Sequence, residues 1–120
     1  AAAAFKEGDF YGAVEYYTRL LQCMPSSEKL LSNRSMAYLK VQKFQLALDD
    51  ALKAQAIRPD FAKVYFRKGQ ALQGLNRLKE AIAAFTEGSK IDDANGEWDR
   101  EILKTRHMQK AIKEKKGQWV

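Results

Sequence analysis

Cysteine and histidine are almost absent. The single cysteine, Cys23, excludes an internal disulfide framework and fits a reducing compartment. The single histidine, His107, has no cysteine or second histidine at a ligand spacing, so it reads as a surface or cap residue and no metal site is expected. Ser32 and Ser35 have no histidine and aspartate partners to make either a nucleophile. No glycine-rich phosphate loop occurs, and no acid–base constellation can be assembled. The expectation is therefore no catalytic residue, no cofactor and no enzymatic activity. Apolar runs are too short to span a membrane, and no charged–apolar–small leader opens the chain. Only two prolines and seven glycines interrupt the sequence, most of them where helices would begin or end.

What is present fits one compact domain. The chain has 120 residues, of which 46% are hydrophobic, enough to form a core without low-complexity tracts. Its formal charge of +6 favours acidic peptides, acidic protein surfaces or nucleic acid as partners over basic ligands.

Apolar spacings of three and four predict a train of amphipathic helices. AAAAFKE reads as the back end of a helix, broken by Gly8 and Asp9. From Phe10 to about Cys23, a stripe of Phe10, Ala13, Val14, Tyr17 and Leu21 faces inward, and Pro25 with Ser26 and Ser27 ends that helix and caps the next. Helices are then predicted over 28–40 (Leu31, Ser35 and Tyr38 inward) and 44–57 (Phe44, Ala47, Leu48, Ala51, Leu52 and Ala54 inward). Two more follow over 62–74 (Tyr65, Gly69, Leu72) and 78–91 (Leu78, Ala81, Ile82, Phe85, Ile91). A last helix, about 97–115, carries Ile102, Leu103, Met108 and Ile112 on one face and many basic residues elsewhere, and reads as a solvating cap. Trp98 and Trp119 are expected to pack that cap or mark the segment leaving it.

Sliding the chain by 34 residues superimposes Ala13, Ala47 and Ala81, then Tyr17, Ala51 and Phe85, then Pro25, Pro59 and Asp93. Such a period of helix–turn–helix units, with small residues at Ala1, Ser35 and Gly69, resembles the tetratricopeptide repeat. The resemblance implies an all-α fold, a right-handed superhelical array of three helix pairs plus a C-terminal capping helix. The repeats would occupy residues 1–95 as 1–27, 28–61 and 62–95, the first lacking its front, with 96–120 as capping helix and tail.

Within the family, LLSNRSMAYLK and AKVYFRKGQAL resemble the dicarboxylate-clamp subgroup of co-chaperones. That likeness implies an adaptor binding the acidic C-terminal tail peptide of a cytosolic heat-shock chaperone, of the seventy- or ninety-kilodalton class, in a concave groove. Asn33, Lys63 and Arg67 would be three of five clamp positions. The fourth falls on Ala2, where the subgroup has asparagine, and the fifth precedes residue 1. A four-residue step sets Lys63 and Arg67 one turn apart on one helix face. Arginine offers a carboxylate a planar fork, lysine a point charge and asparagine a neutral donor. Met36, Phe66 and Gln70 are expected groove contacts, and Lys29 and Lys40 border the same side.

Against this stands the reading that these are solvated charges and packing residues on a scaffold for another protein partner or for self-association. A third reading takes the basic run Lys110–Lys116 as a nucleic-acid contact, although such runs are more commonly solvated faces. No membrane contact is expected.

Overall fold

The computed structural model describes residues 8–93 and 96–117, and every regular element among them is an α-helix. These are α1 (Phe10–Cys23), α2 (Glu28–Lys40), α3 (Phe44–Ile57), α4 (Ala62–Gly74), α5 (Leu78–Ile91) and α6 (Glu97–Gly117). Each packs on the one before it, and α4 also touches α2. The result is elongated, 53 × 30 × 23 Å, as expected of a stack in which each unit meets mainly its neighbours.

The 34-residue period is written into the backbone. Gln42 and Asn76, 34 residues apart, both turn left-handed (φ 62° and 63°), and the amides after them, Lys43 and Arg77, return to Tyr38 and Leu72 carbonyls at 2.9 Å. Such returns close the C-terminal turns of α2 and α4. Met24, Arg58 and Asp92 likewise end α1, α3 and α5 with amides bonded to the carbonyls of Leu20, Ala54 and Gly88. Where a side chain is available to cap, it does so: Asp9 Oδ1 accepts from the Gly12 amide at 2.9 Å and Ser27 Oγ from Leu30 at 3.2 Å.

Ala13, Ala47 and Ala81 are all buried, and so are Ser35 and Gly69 at the second small-residue series. Gly69 packs so close to the Phe85 ring that an added Cβ would come within 2.7 Å of three ring carbons. Ser35 donates its hydroxyl to the Ala47 carbonyl at 2.8 Å, so the small side chain brings two helices together and satisfies itself. Ala1, at the head of that series, lies outside the described residues.

Trp98 packs the cap, as expected. It joins the core cluster of Tyr65, Leu72 and Phe85, stands edge-on to Phe66 (centroids 5.4 Å apart) and donates its indole N–H to the Asp92 carbonyl at 2.6 Å. Trp119 lies outside the described residues.

Three inward assignments are corrected. Leu52 (42% exposed), Ile91 (40%) and Leu103 (58%) face out. Leu52 and Leu103 each follow a residue that already fills the packing stripe, Ala51 and Ile102, and one residue is about 100° of rotation. Ile91 ends α5, one turn beyond Gly88, where the α6 tryptophan makes its contact. Among the described residues, the buried polar ones are Ser32, Ser35, Asp50 and Thr105. Asp50 grips Arg34 with both oxygens (2.7 and 2.8 Å), and Arg34 also donates to Thr18 at 3.2 Å, so one guanidinium joins α1, α2 and α3.

Candidate functional site

α2, α4 and α6 line one side of the stack. Their N-terminal halves carry most of the residues that the sequence singles out, and two adjoining cavities lie between them. The first, about 350 Å³, has Met36 and Lys40 of α2, Arg67 and Gln70 of α4, and Lys104 and Met108 of α6 in its wall. The second, about 230 Å³, is bounded by Lys63, Phe66 and Arg67 of α4, with Glu97 and Trp98 of α6 and Asp92 ahead of it. Arg67 belongs to both walls.

The position of Arg67 follows from the helix that carries it. On α4, Val64, Tyr65, Leu72 and the small Gly69 turn into the core, leaving Lys63, Arg67 and Gln70 on the opposite stripe at steps of four and three. Arg67 is half-buried, and its Nε is fully shielded with no hydrogen-bond partner among the described residues. One contact, Nη1 to Gln70 Oε1, is long at 3.4 Å. Burial pushes the guanidinium pKa down and the Glu97 carboxylate pulls it partly back. Arginine keeps its proton at any working pH, so the downward shift registers the cost of desolvating a cation. A planar, poorly hydrated cation with an unfilled donor is suited to a carboxylate.

Lys63 is exposed at the mouth of the second cavity. Phe66 serves two ends, lining that cavity while packing edge-on against Phe85 at 5.7 Å and against Trp98. Met36 and Gln70 are in the wall of the first cavity. Asn33 is half-buried one turn before Met36 on the same face of α2, but it is not in the wall of either cavity. Lys29 is exposed near the front of α2. Ala2 lies outside the described residues.

Sequence reasoning missed what α6 brings. Lys104 and Met108 stand one turn apart facing the first cavity, and Glu97 adds a carboxylate to the second. The signal was a four-residue step, but the many charges of α6 hid it. Two anchors hold the helix in place: Trp98, and Gln73 of α4, whose side-chain amide donates to Glu101 Oε2 at 3.1 Å and Thr105 Oγ1 at 2.8 Å. No cluster of residues able to hold a metal ion occurs among the described residues.

Comparison with known proteins fits this geometry. A family model described as tetratricopeptide repeat matches residues 62–95. The chain is 47% identical over 89 residues to human "Tetratricopeptide repeat protein 28", covering 74% of this chain but only 4% of that protein. It is 33% identical to the second TPR domain of human RPAP3, solved in complex with the HSP70 peptide SGPTIEEVD, with a TM-score of 0.79 and 85% of each chain covered. It is 30% identical to the first TPR of Spaghetti (RPAP3), solved bound to the HSP90 peptide SRMEEVD, with a TM-score of 0.81 over 88% of this chain and 85% of that one.

Proposed function

The chain belongs to the tetratricopeptide-repeat family, and on that premise we propose that it is a co-chaperone-type adaptor that captures the acidic C-terminal tail of a heat-shock chaperone. Repeats of this family are protein-interaction modules rather than enzymes. The relatives bound to HSP70 and HSP90 peptides support either chaperone class.

The observation that carries the reading is Arg67: a half-buried cation with a shielded, unpartnered Nε, one turn from Lys63 and at the junction of two cavities. In the proposed mechanism Arg67 takes a ligand carboxylate through its fork and Lys63 adds a point charge at the mouth. Asn33 contributes a neutral donor from α2, and Met36, Phe66 and Gln70 line the path of the peptide. Ala2 marks the further position in the first unit. The organisation proposed with it is three repeats, 1–27, 28–61 and 62–95, followed by a cap and tail over 96–120. A partner of the cytosolic chaperone class makes the cytoplasm the proposed place of action.

Titration with SRMEEVD tests this. Arg67→Ala and Lys63→Ala should each weaken binding about 10- to 150-fold, the equivalent of about 1.5–3 kcal/mol for a charge-assisted hydrogen bond. Binding that ignores both substitutions would overturn the reading. It would leave the alternative, a repeat scaffold for a different protein partner. One observation favours that alternative: Asp92 and Glu97 share the Lys63 cavity and would repel an acidic ligand there.

A further inference from the structure

The cavity on the other side of Arg67 lacks the carboxylates, Asp92 and Glu97, that balance the cations of the one Lys63 borders. Lys40 from α2, Arg67 from α4 and Lys104 from α6 converge on it, and no carboxylate is in its wall. None of the three enters an ion pair among the described residues. The nearest acidic side chain along α6, Glu101, is engaged by the Gln73 amide. Lys40 places its ammonium over the Phe10 ring, 6.0 Å from the centroid. Three cations around one hollow repel one another, and an anion placed among them relieves that repulsion. Beside them, Met36 and Met108 offer an adaptable apolar surface from two facing helices.

We propose that α6 forms a wall of the binding site and not only a cap: Lys104, with Lys40, holds a second carboxylate of the same acidic peptide, while Met36 and Met108 receive an adjoining aliphatic side chain. This rests on the reading that Arg67 and Lys63 hold the first carboxylate. Because Arg67 stands in both walls, the second acid lies close along the ligand. The preferred ligand therefore carries an acidic terminus, a second acid shortly before it and an aliphatic or methionine side chain alongside. Lys104 is suited to this by its support. Thr105 is buried and tied to Gln73, and Trp98 fixes the front of the helix, so the lysine stem springs from a rigid base.

The test is a double-mutant cycle by calorimetric titration, using SRMEEVD and SRMQQVD, both with free C-termini, against the unaltered chain, Lys104→Ala and Lys53→Ala. Lys104→Ala should weaken SRMEEVD about 5- to 10-fold and SRMQQVD less than two-fold, a coupling that a general loss of positive charge does not produce. Lys53→Ala, an exposed lysine on α3, should change neither. Equal losses with both peptides, or none, would overturn the proposal while leaving the Arg67 clamp standing, provided that Arg67→Ala still weakens both. Failure of every peptide to bind the unaltered chain would overturn the clamp and this proposal with it.

Discussion

Arg67 and Glu97 face the same small cavity from different helices, and their charges act on one another. Burial lowers the arginine pKa, and the glutamate raises it. The groove thus already holds an anion beside the cation proposed to bind one. In an extended chain of acids, the residue nearest Glu97 would meet like charge, whereas the Lys40–Lys104 side would not. The pair sets a direction for charge along the groove.

Replacing Glu97 with Gln removes the internal competitor while keeping its shape. Affinity for SRMEEVD should rise about two- to five-fold, read by titration at low salt, where unscreened charge is felt most. A fall in affinity would mean that Glu97 serves to orient Arg67 for the ligand.

The Arg34–Asp50 pair should matter to stability and not to ligand choice. Asp50 is buried and bonded through both oxygens, so Asp50→Ala strands a guanidinium inside three helices. A cost of about 3–5 kcal/mol is expected in denaturant unfolding. The double substitution Arg34→Met, Asp50→Leu should recover most of it, because apolar groups of similar volume replace such pairs well.

Gly88 tests how α6 is held. A Cβ there would enter the Trp98 ring and come within 2.9 Å of Tyr65 Cβ. Gly88→Ala gains about 0.5–1 kcal/mol of helix preference but should lose about 1–3 kcal/mol to overpacking. In a Trp119→Phe background, Trp98 emission should shift to the red, and peptide affinity should fall with the displaced helix.

Much of the fold was legible because its repeat places like residues in like positions. Ala13, Ala47 and Ala81 share one sequence offset and one buried environment, and Gln42 and Asn76 share one backbone turn. Lys63 and Arg67 could be set on one face from spacing alone. Asp50 and Thr105 could not be foreseen inside, because what permits their burial lies far along the chain: Arg34, 16 residues from Asp50, and Gln73, 32 from Thr105. Leu52 and Leu103 looked like core residues by chemistry, but helical rotation turns them outward. The contribution of α6 to the groove was hidden for a related reason. Its apolar pattern marked Met108 as a packing residue, but nothing in that pattern marked Lys104, one turn before it, as a second residue of the same cavity wall.

Arg34 and Arg67 predict a flat pH response at working pH. Arg34 is raised above the ordinary arginine value, first by its hydrogen bond to Asp50, so its stabilising effect is present below the ordinary value and is lost only as pH rises through the raised one. Arg67 is lowered from the ordinary arginine value by burial, so it costs stability throughout the range where it remains charged. Neither changes state between pH 6 and 9, on the order of the usual working range. Glu80 is held below its ordinary 4.5 by the hydrogen bond from Arg77, so that contribution is present above 4.5 and lost as pH falls through the lowered value. Peptide affinity should stay level from about pH 6 to 9 and drop below about pH 4, as the ligand carboxylates take up protons. A step near neutral pH, followed by titration calorimetry, would contradict this.

Whether Arg67 holds a terminal carboxylate is decided by comparing SRMEEVD with the same peptide amidated at its C-terminus, titrated into the unaltered chain and into Arg67→Ala. Amidation removes one negative charge, replaces one acceptor oxygen with an NH2 donor and leaves every side chain in place. Amidation should weaken binding at least about tenfold in the unaltered chain and less than about twofold once Arg67 is gone, a coupling that identifies the arginine as the carboxylate's partner. Equal affinities for the free and amidated peptides in the unaltered chain would contradict the claim that this groove recognises a terminal carboxylate.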